Sequence, residues 1–352
     1  MAAEKSRSAG KNAAYDRLRK AIKEKNPARA YLFYGEESYL RQTYVQQLQE
    51  LLIAGGSEEF NLHRLSGSRI TAQDVIDAVE TMPMMAPSTM VTVTDWDIFK
   101  LDEVQRSQLT GLLEDLPDYC TVLFIYDTVP YKPDRKMKKL TAAIDKNVEV
   151  VEFQGQSRDA LVRWLQKRFR ALDHDIDQPT ADYMLFYCGS MMDNLVCEVG
   201  KVAAYARAPQ ITTADIDAVA EPVLDARIFD MTNHISARDY DKAAAVLGDL
   251  LRMQTEPIVI LAAVGKELRR LYTARMALDG GKDRLWLKQL WNMSSDYPAK
   301  LLMQAARKVD HDWCRTAVLR CQQLDRRMKS EKGVDAVGEL KLLLVRLGAA
   351  RR

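Results

Sequence analysis

Ala30-Tyr-Leu-Phe-Tyr-Gly35 is an unbroken apolar run closed by glycine, and it predicts a buried strand. Leu40, Tyr44, Leu48 and Leu51 then recur at helical spacing, which predicts an amphipathic helix from Glu37 to Ile53. Three further strands are expected. Thr89-Met-Val-Thr-Val-Thr94 is rich in β-branched residues, and Cys120-Thr-Val-Leu-Phe-Ile-Tyr126 is almost continuously apolar, as in a strand covered on both faces. Asn147-Val-Glu-Val-Val-Glu-Phe153 is the last. Helical patterns separate them, from Ala72 to Thr81 and from Asp102 to Leu116. A short helix from Ala13 to Lys23 precedes the first strand, and residues 1–11, small, polar and charged, read as a loose tail. Strands alternating with helices predict crossover connections and a mainly parallel sheet.

Beyond Phe153 the strand signal fades. Ser157 stands as a helix cap before Arg158-Asp-Ala-Leu161, and helical periodicity continues almost to the end. Pro179, Gly189, Pro209 and Pro222 punctuate a small helical region, with a capping signal in Pro209-Gln-Ile-Thr-Thr-Ala-Asp-Ile216. The pattern from Leu224 to Leu347 is all helical. The expected division is an α/β module over 1–153, a helical lid over 154–222 and an all-helical domain over 223–352.

Composition narrows the function classes. With 47% hydrophobic and 28% charged residues, the 352-residue chain reads as soluble and globular. A net charge of +2 supplies no global field toward nucleic acid or membrane, so either contact would need a local patch. The five cysteines, Cys120, Cys188, Cys197, Cys314 and Cys321, form no C-x-x-C pair, and His63, His174, His234 and His311 are dispersed, so no metal is expected. Met1-Ala-Ala-Glu-Lys-Ser-Arg-Ser-Ala-Gly lacks an apolar signal region, and no run approaches the roughly 18 apolar residues of a spanning helix. A cytoplasmic location without membrane contact is the expectation.

Five segments carry a resemblance: Tyr31-Leu-Phe-Tyr-Gly-Glu-Glu-Ser-Tyr-Leu40, Val79-Glu-Thr-Met-Pro-Met-Met-Ala86, Lys132-Pro-Asp-Arg-Lys-Met-Lys-Lys-Leu140, Gly189-Ser-Met-Met-Asp-Asn-Leu195 with Glu198 and Lys201, and Leu324-Asp-Arg-Arg-Met-Lys-Ser330. Their order and spacing across nearly the whole chain resemble the bacterial DNA polymerase III delta subunit family. The resemblance implies an AAA+-like module with a mainly parallel sheet, a helical lid and an all-α collar. It also implies the nucleoid-associated replisome as location, and as partners the sliding clamp, the gamma/tau and delta prime subunits in a hetero-pentamer, and primer-template DNA through that complex. It implies no catalysis by this chain itself, only membership of the DNA polymerase III holoenzyme.

A working P-loop needs glycines that expose backbone N–H groups, a Lys for the phosphates and a Ser or Thr for magnesium. The turn here, Gly35-Glu36-Glu37-Ser38, has one glycine, no Lys and two carboxylates where phosphate would sit. The next strand ends in Asp95-Trp96, and Trp96 cannot act as a base. No cofactor and no catalytic residue is therefore expected, with Asp95 as a relic of a metal ligand.

Pro83 should end the helix before it, leaving Met84 and Met85 adjacent and pointing in different directions. The resemblance implies that this pair, with Pro83, Met82 and neighbours such as Met90, plugs an apolar pocket on the clamp. Lys132, Arg135, Lys136, Lys138 and Lys139 read as a solvated helix face, and Arg315, Arg320, Arg326, Arg327 and Lys329 as a collar surface. Cys314 and Cys321 share a helix face and should pack in a core. Two other function classes stay open on the sequence: an active P-loop ATPase and an independent DNA-binding protein.

Overall fold

The computed structural model describes residues 2–53, 55, 57–67, 69–134, 136–293 and 296–349, with side chains from residue 13 onward. Internal contacts divide the chain into two units, Met1–Gln156 with Met191–Asp193, and Ser157–Ser190 with Asn194–Arg352.

The first unit is α/β. Its elements run α1 (Ala2–Lys23), β1 (Ala30–Tyr34), α2 (Ser38–Leu52), α3 (Glu58–Asn61), β2 (Leu62–Ser66), α4 (Ala72–Glu80), β3 (Thr89–Thr94), α5 (Glu103–Glu114), β4 (Cys120–Ile125), α6 (Lys138–Asn147) and β5 (Glu149–Glu152). The strands form one parallel sheet in the order β2-β3-β4-β1-β5. Side chains along β1 alternate between two cores. Ala30 and Leu32 pack with Val75 and Val79 of α4, Leu109 of α5 and Leu140 and Ile144 of α6. Tyr31 and Phe33 pack with Leu18 of α1 and Tyr44 and Leu48 of α2. Helices on both faces explain why β1 and β4 read as nearly continuous apolar runs.

Two expectations are corrected. Residues 2–11 belong to α1 rather than to a loose tail; seven of these ten residues are Ala, Lys, Arg or Glu, strong helix formers that outweigh Gly10. Strand β2 gave no expected signal, because it lies at the sheet edge and buries only Leu62 fully. Its other positions are polar or half exposed, so the apolar run never forms.

The strand order reverses at β1, which lies between β4 and β5. In open α/β sheets the carboxyl edge at such a reversal is where ligands bind. That edge holds the turn Gly35–Ser38.

The second unit is helical: α7 (Arg158–Arg170), α8 (Gln178–Cys188), α9 (Met192–Tyr205), α10 (Thr213–Val219), α11 (Leu224–Ser236), α12 (Tyr240–Arg252), α13 (Pro257–Asp279), α14 (Arg284–Leu290), α15 (Asp296–Ala306), α16 (His311–Ser330) and α17 (Ala336–Ala349). The first residues of α9 count with the first unit. Ser157 caps α7 by accepting from the Ala160 N–H at 3.3 Å, and Thr212 with Asp215 forms a capping box on α10. Val264, Leu268 and Leu271 place α13 in a core shared with α11, α15, α16 and α17. Cys314 and Cys321 of α16 lie in that core, where burial pushes both thiols up to about 12 and leaves them inert. Among the described residues no helix is long and apolar enough to cross a membrane.

Candidate functional site

The turn after β1 is closed on itself. Gly35 has φ +121°, and a Cβ there would lie 2.3 Å from the Phe153 carbonyl oxygen, so only glycine fits. The Glu37 N–H donates to that carbonyl at 3.0 Å and the Ser38 N–H to the Glu36 carbonyl at 3.2 Å. The Glu36 carboxylate accepts from the Gly155 N–H at 3.1 Å, and the Ser38 hydroxyl donates to Asp193. Backbone donors that would cradle a phosphate are thus engaged elsewhere. Arg41, buried on α2, donates to the Gly35 carbonyl at 2.7 Å and pairs with Asp127, so its charge is already met.

Glu37 is fully buried at the start of α2, with its carboxylate facing the Met192 backbone. Its pKa is raised. Burial is the largest cause, Asp193 and Glu36 add to it, and the Met192 backbone and Arg41 oppose it. A buried carboxyl at this point is the opposite of what a polyphosphate requires.

Asp95 has a structural role that no local motif announced. It sits at φ +56° beyond the end of β3. Its carboxylate accepts from the N–H groups of Asp127, Thr128 and Val129 at 2.8, 2.9 and 3.1 Å, and from the Thr128 hydroxyl at 2.7 Å. Partial burial pushes its pKa up, but these bonds outweigh it and the net shift is downward. The lone pairs that would hold a metal therefore staple the end of β3 to the loop after β4. Trp96 is buried and stacks on Phe124 at 6.4 Å. No cluster of three or more metal-ligating side chains occurs among the described residues.

The second feature is the segment between α4 and β3. A Thr71–Asp74 capping box starts α4, Val75 and Val79 bury its inner face, and it ends at Glu80. Thr81 is extended, and the chain then runs through half-buried Pro83 without regular structure. Met82 is 72% exposed, Met84 54% and Met85 94%. Met85 is left-handed, with φ +57°. Met90 is different: it is fully buried under the sheet, so it cannot share a surface with the others. Its place on β3, facing α2 between two covered faces, is the reason.

A residue that the sequence did not single out holds this segment. Asn61, fully buried at the end of α3, accepts from the Met84 N–H at 2.8 Å and donates to the Met84 carbonyl at 2.8 Å. Its neighbour Phe60 is half exposed. No signal could have found Asn61, since the contact spans 23 residues without a shared motif.

The basic cluster is not one helix face. Lys138 and Lys139 open α6, while Lys132 and Lys136 lie in the irregular stretch before it. Arg135 lies outside the described residues. On α16, Arg327 pairs with Glu331 and Glu339, Lys329 with Asp325, and Arg320 with the Arg346 carbonyl. Arg315 and Arg326 are exposed.

Residues 31–154 match the family model described as DNA polymerase III, delta subunit, and residues 225–347 match DNA polymerase III delta subunit, C-terminal domain. The chain is 22% identical over 320 residues to DNA polymerase III subunit delta of Bacillus subtilis (strain 168), covering 89% of this chain and 91% of that one. It is 23% identical over 262 residues to a probable DNA polymerase III subunit delta of Aquifex aeolicus (strain VF5), covering 72% and 73%. Among solved structures, the Bacillus subtilis DNA clamp loader delta protein (YqeN) aligns with a TM-score of 0.51 at 20% identity, over 96% of this chain and 100% of that one. At that identity the likeness concerns the fold, a parallel α/β module followed by helices. With both the α/β unit and the C-terminal helices matched by models of one family, the chain belongs to the DNA polymerase III delta subunit family.

Proposed function

We propose that the chain binds and opens the sliding clamp as a clamp-loader subunit, with Met84 and Met85 as the apolar wedge and no ATP hydrolysis of its own. The observation that carries the reading is the exposed methionine tip, held at its backbone by a buried side chain. Adjacent exposed apolar side chains favour a partner that covers them, and methionine adapts its shape to a groove. Opening follows if the tip binds the open clamp better than the closed one, since a ligand shifts an equilibrium only by its differential affinity. Met82 and Pro83 flank the wedge.

The closed turn at Gly35–Ser38 supports a chain without nucleotide. In this reading 1–153 meets the clamp, 154–222 serves as lid, and 223–352 is the collar that joins gamma/tau and delta prime in a hetero-pentamer at the replisome. Primer-template DNA is reached through that assembly. A pulldown with the sliding clamp from the same genome tests the reading. Retention of the full chain, lost on replacing the two methionines, is the expected result. Steady ATP turnover by the purified chain, abolished by altering the Gly35 turn, would refute the nucleotide-free part.

A further inference from the structure

We propose that Asn61 is a positioning residue for the Met84–Met85 tip, pre-setting the angle at which the two methionines leave the surface. The inference rests on the clamp-binding reading of that tip.

The Asn61 amide is oriented by its own partners. Nδ2 faces two carbonyls, Ser57 at 3.0 Å and Met84 at 2.8 Å, while Oδ1 faces the Met84 N–H at 2.8 Å. Turning the amide over would set its oxygen against both carbonyls and its NH₂ against an N–H. The two bonds, one accepted and one donated, hold the peptide groups on either side of the Met84 Cα and so fix the backbone orientation at that residue. This matters because residues 82–88 have no helix or strand to hold them. The second of these peptide groups lies directly before Met85, which takes a left-handed conformation that L residues avoid. An outlier of this kind persists only where its surroundings over-determine it. Here the surroundings are a side chain from α3, brought to the tip across 23 residues of chain.

The consequence is pre-organisation. A tip already held in one geometry loses less freedom when a partner covers it, and the saving appears as affinity. Losing the two bonds should weaken clamp binding on the order of tenfold, as expected for hydrogen bonds of ordinary net strength.

The test uses the full chain and the sliding clamp from the same genome. Affinities are measured for the native protein, Asn61→Ala, Met84→Ala/Met85→Ala and the triple variant, with thermal melting of each. Asn61→Ala should bind about tenfold more weakly, and the triple variant no more weakly than the methionine pair alone, because the latch has nothing left to position. Exchange of the Met84 amide hydrogen in the free protein should speed up in Asn61→Ala. If Asn61→Ala does not fold, Asn61→Asp carries the same comparison: it is isosteric, but its ionised form cannot donate to the Met84 carbonyl. Native-like affinity in the Asn61 variant, or a loss that adds in full on the methionine-free background, would overturn the latch while leaving the wedge intact. Native-like affinity of Met84→Ala/Met85→Ala would instead overturn the wedge reading, and the latch with it.

Discussion

Replacing Met84 and Met85 with Ala together is the perturbation that separates a binding tip from a piece of core. Fully burying a Met side chain is worth about 1.5–3 kcal/mol. The free protein leaves Met85 94% and Met84 54% exposed, so nearly all of the first side chain and half of the second remain available to a partner. Scaling by those fractions gives a loss of about 2–4 kcal/mol on binding, or on the order of 30- to 1,000-fold in affinity. The same exposure means that folding hardly uses these side chains, so the melting temperature should stay within about 2 °C, as for an exposed substitution. Met90→Ala is the control. Met90 is fully buried, and its truncation should cost about 2–5 kcal/mol of stability. Calorimetric titration against the clamp, paired with thermal melting on the same preparations, gives both numbers. Native-like clamp affinity in the double variant, or a melting loss comparable to that of Met90→Ala, would refute the reasoning.

Gly35→Ala should unfold the first unit or cost more than about 4 kcal/mol, read by urea denaturation, because the new Cβ meets the Phe153 carbonyl oxygen at 2.3 Å in a conformation unsuited to an L residue. Asp95→Ala should cost about 2–4 kcal/mol through four lost hydrogen bonds. Since the Asp95 pKa lies below the ordinary 3.8, its contribution is present above that value and lost as pH falls through the depressed one; the gap between native and variant melting curves should therefore close in strong acid. Glu37→Gln should do the reverse: with the Glu37 pKa raised above 4.5, ionisation opposes folding, so the variant should melt higher than the native protein near neutral pH and lose that advantage in acid.

What could be read from the residue order follows from how each element is buried. Strands β1 and β4 announced themselves because apolar residues fill most of their positions, β3 through its β-branched residues and β5 through Val150 and Val151, and β1, β3 and β4 are covered on both faces. The edge strand β2 did not, since one neighbour and partial exposure permit His63, Arg64 and Ser66. The helix ending before Pro83 was legible from proline stereochemistry, and so was the adjacency of two methionines. The fate of Met90 was not, because methionine suits core and surface alike and only the sheet decides. Asp95 read as a relic because its type and position matched a metal ligand. Its real partners, Asp127 to Val129, lie on another strand's loop, and pairing of that kind leaves no periodic trace. Asn61 was invisible for the same reason.

The left-handed backbone at Met85 also restricts which amino acids the position tolerates. Valine, isoleucine and threonine, branched at Cβ, are the poorest fit at φ +57°. Glycine and asparagine suit the backbone best but bring no apolar reach. An apolar chain unbranched at Cβ is the compromise, because its bulk begins beyond Cβ, clear of the peptide groups that make the conformation costly. A library randomised at this single codon and selected for clamp capture should therefore return Met with Leu and Phe, while one selected for thermal stability alone should return Gly and Asn.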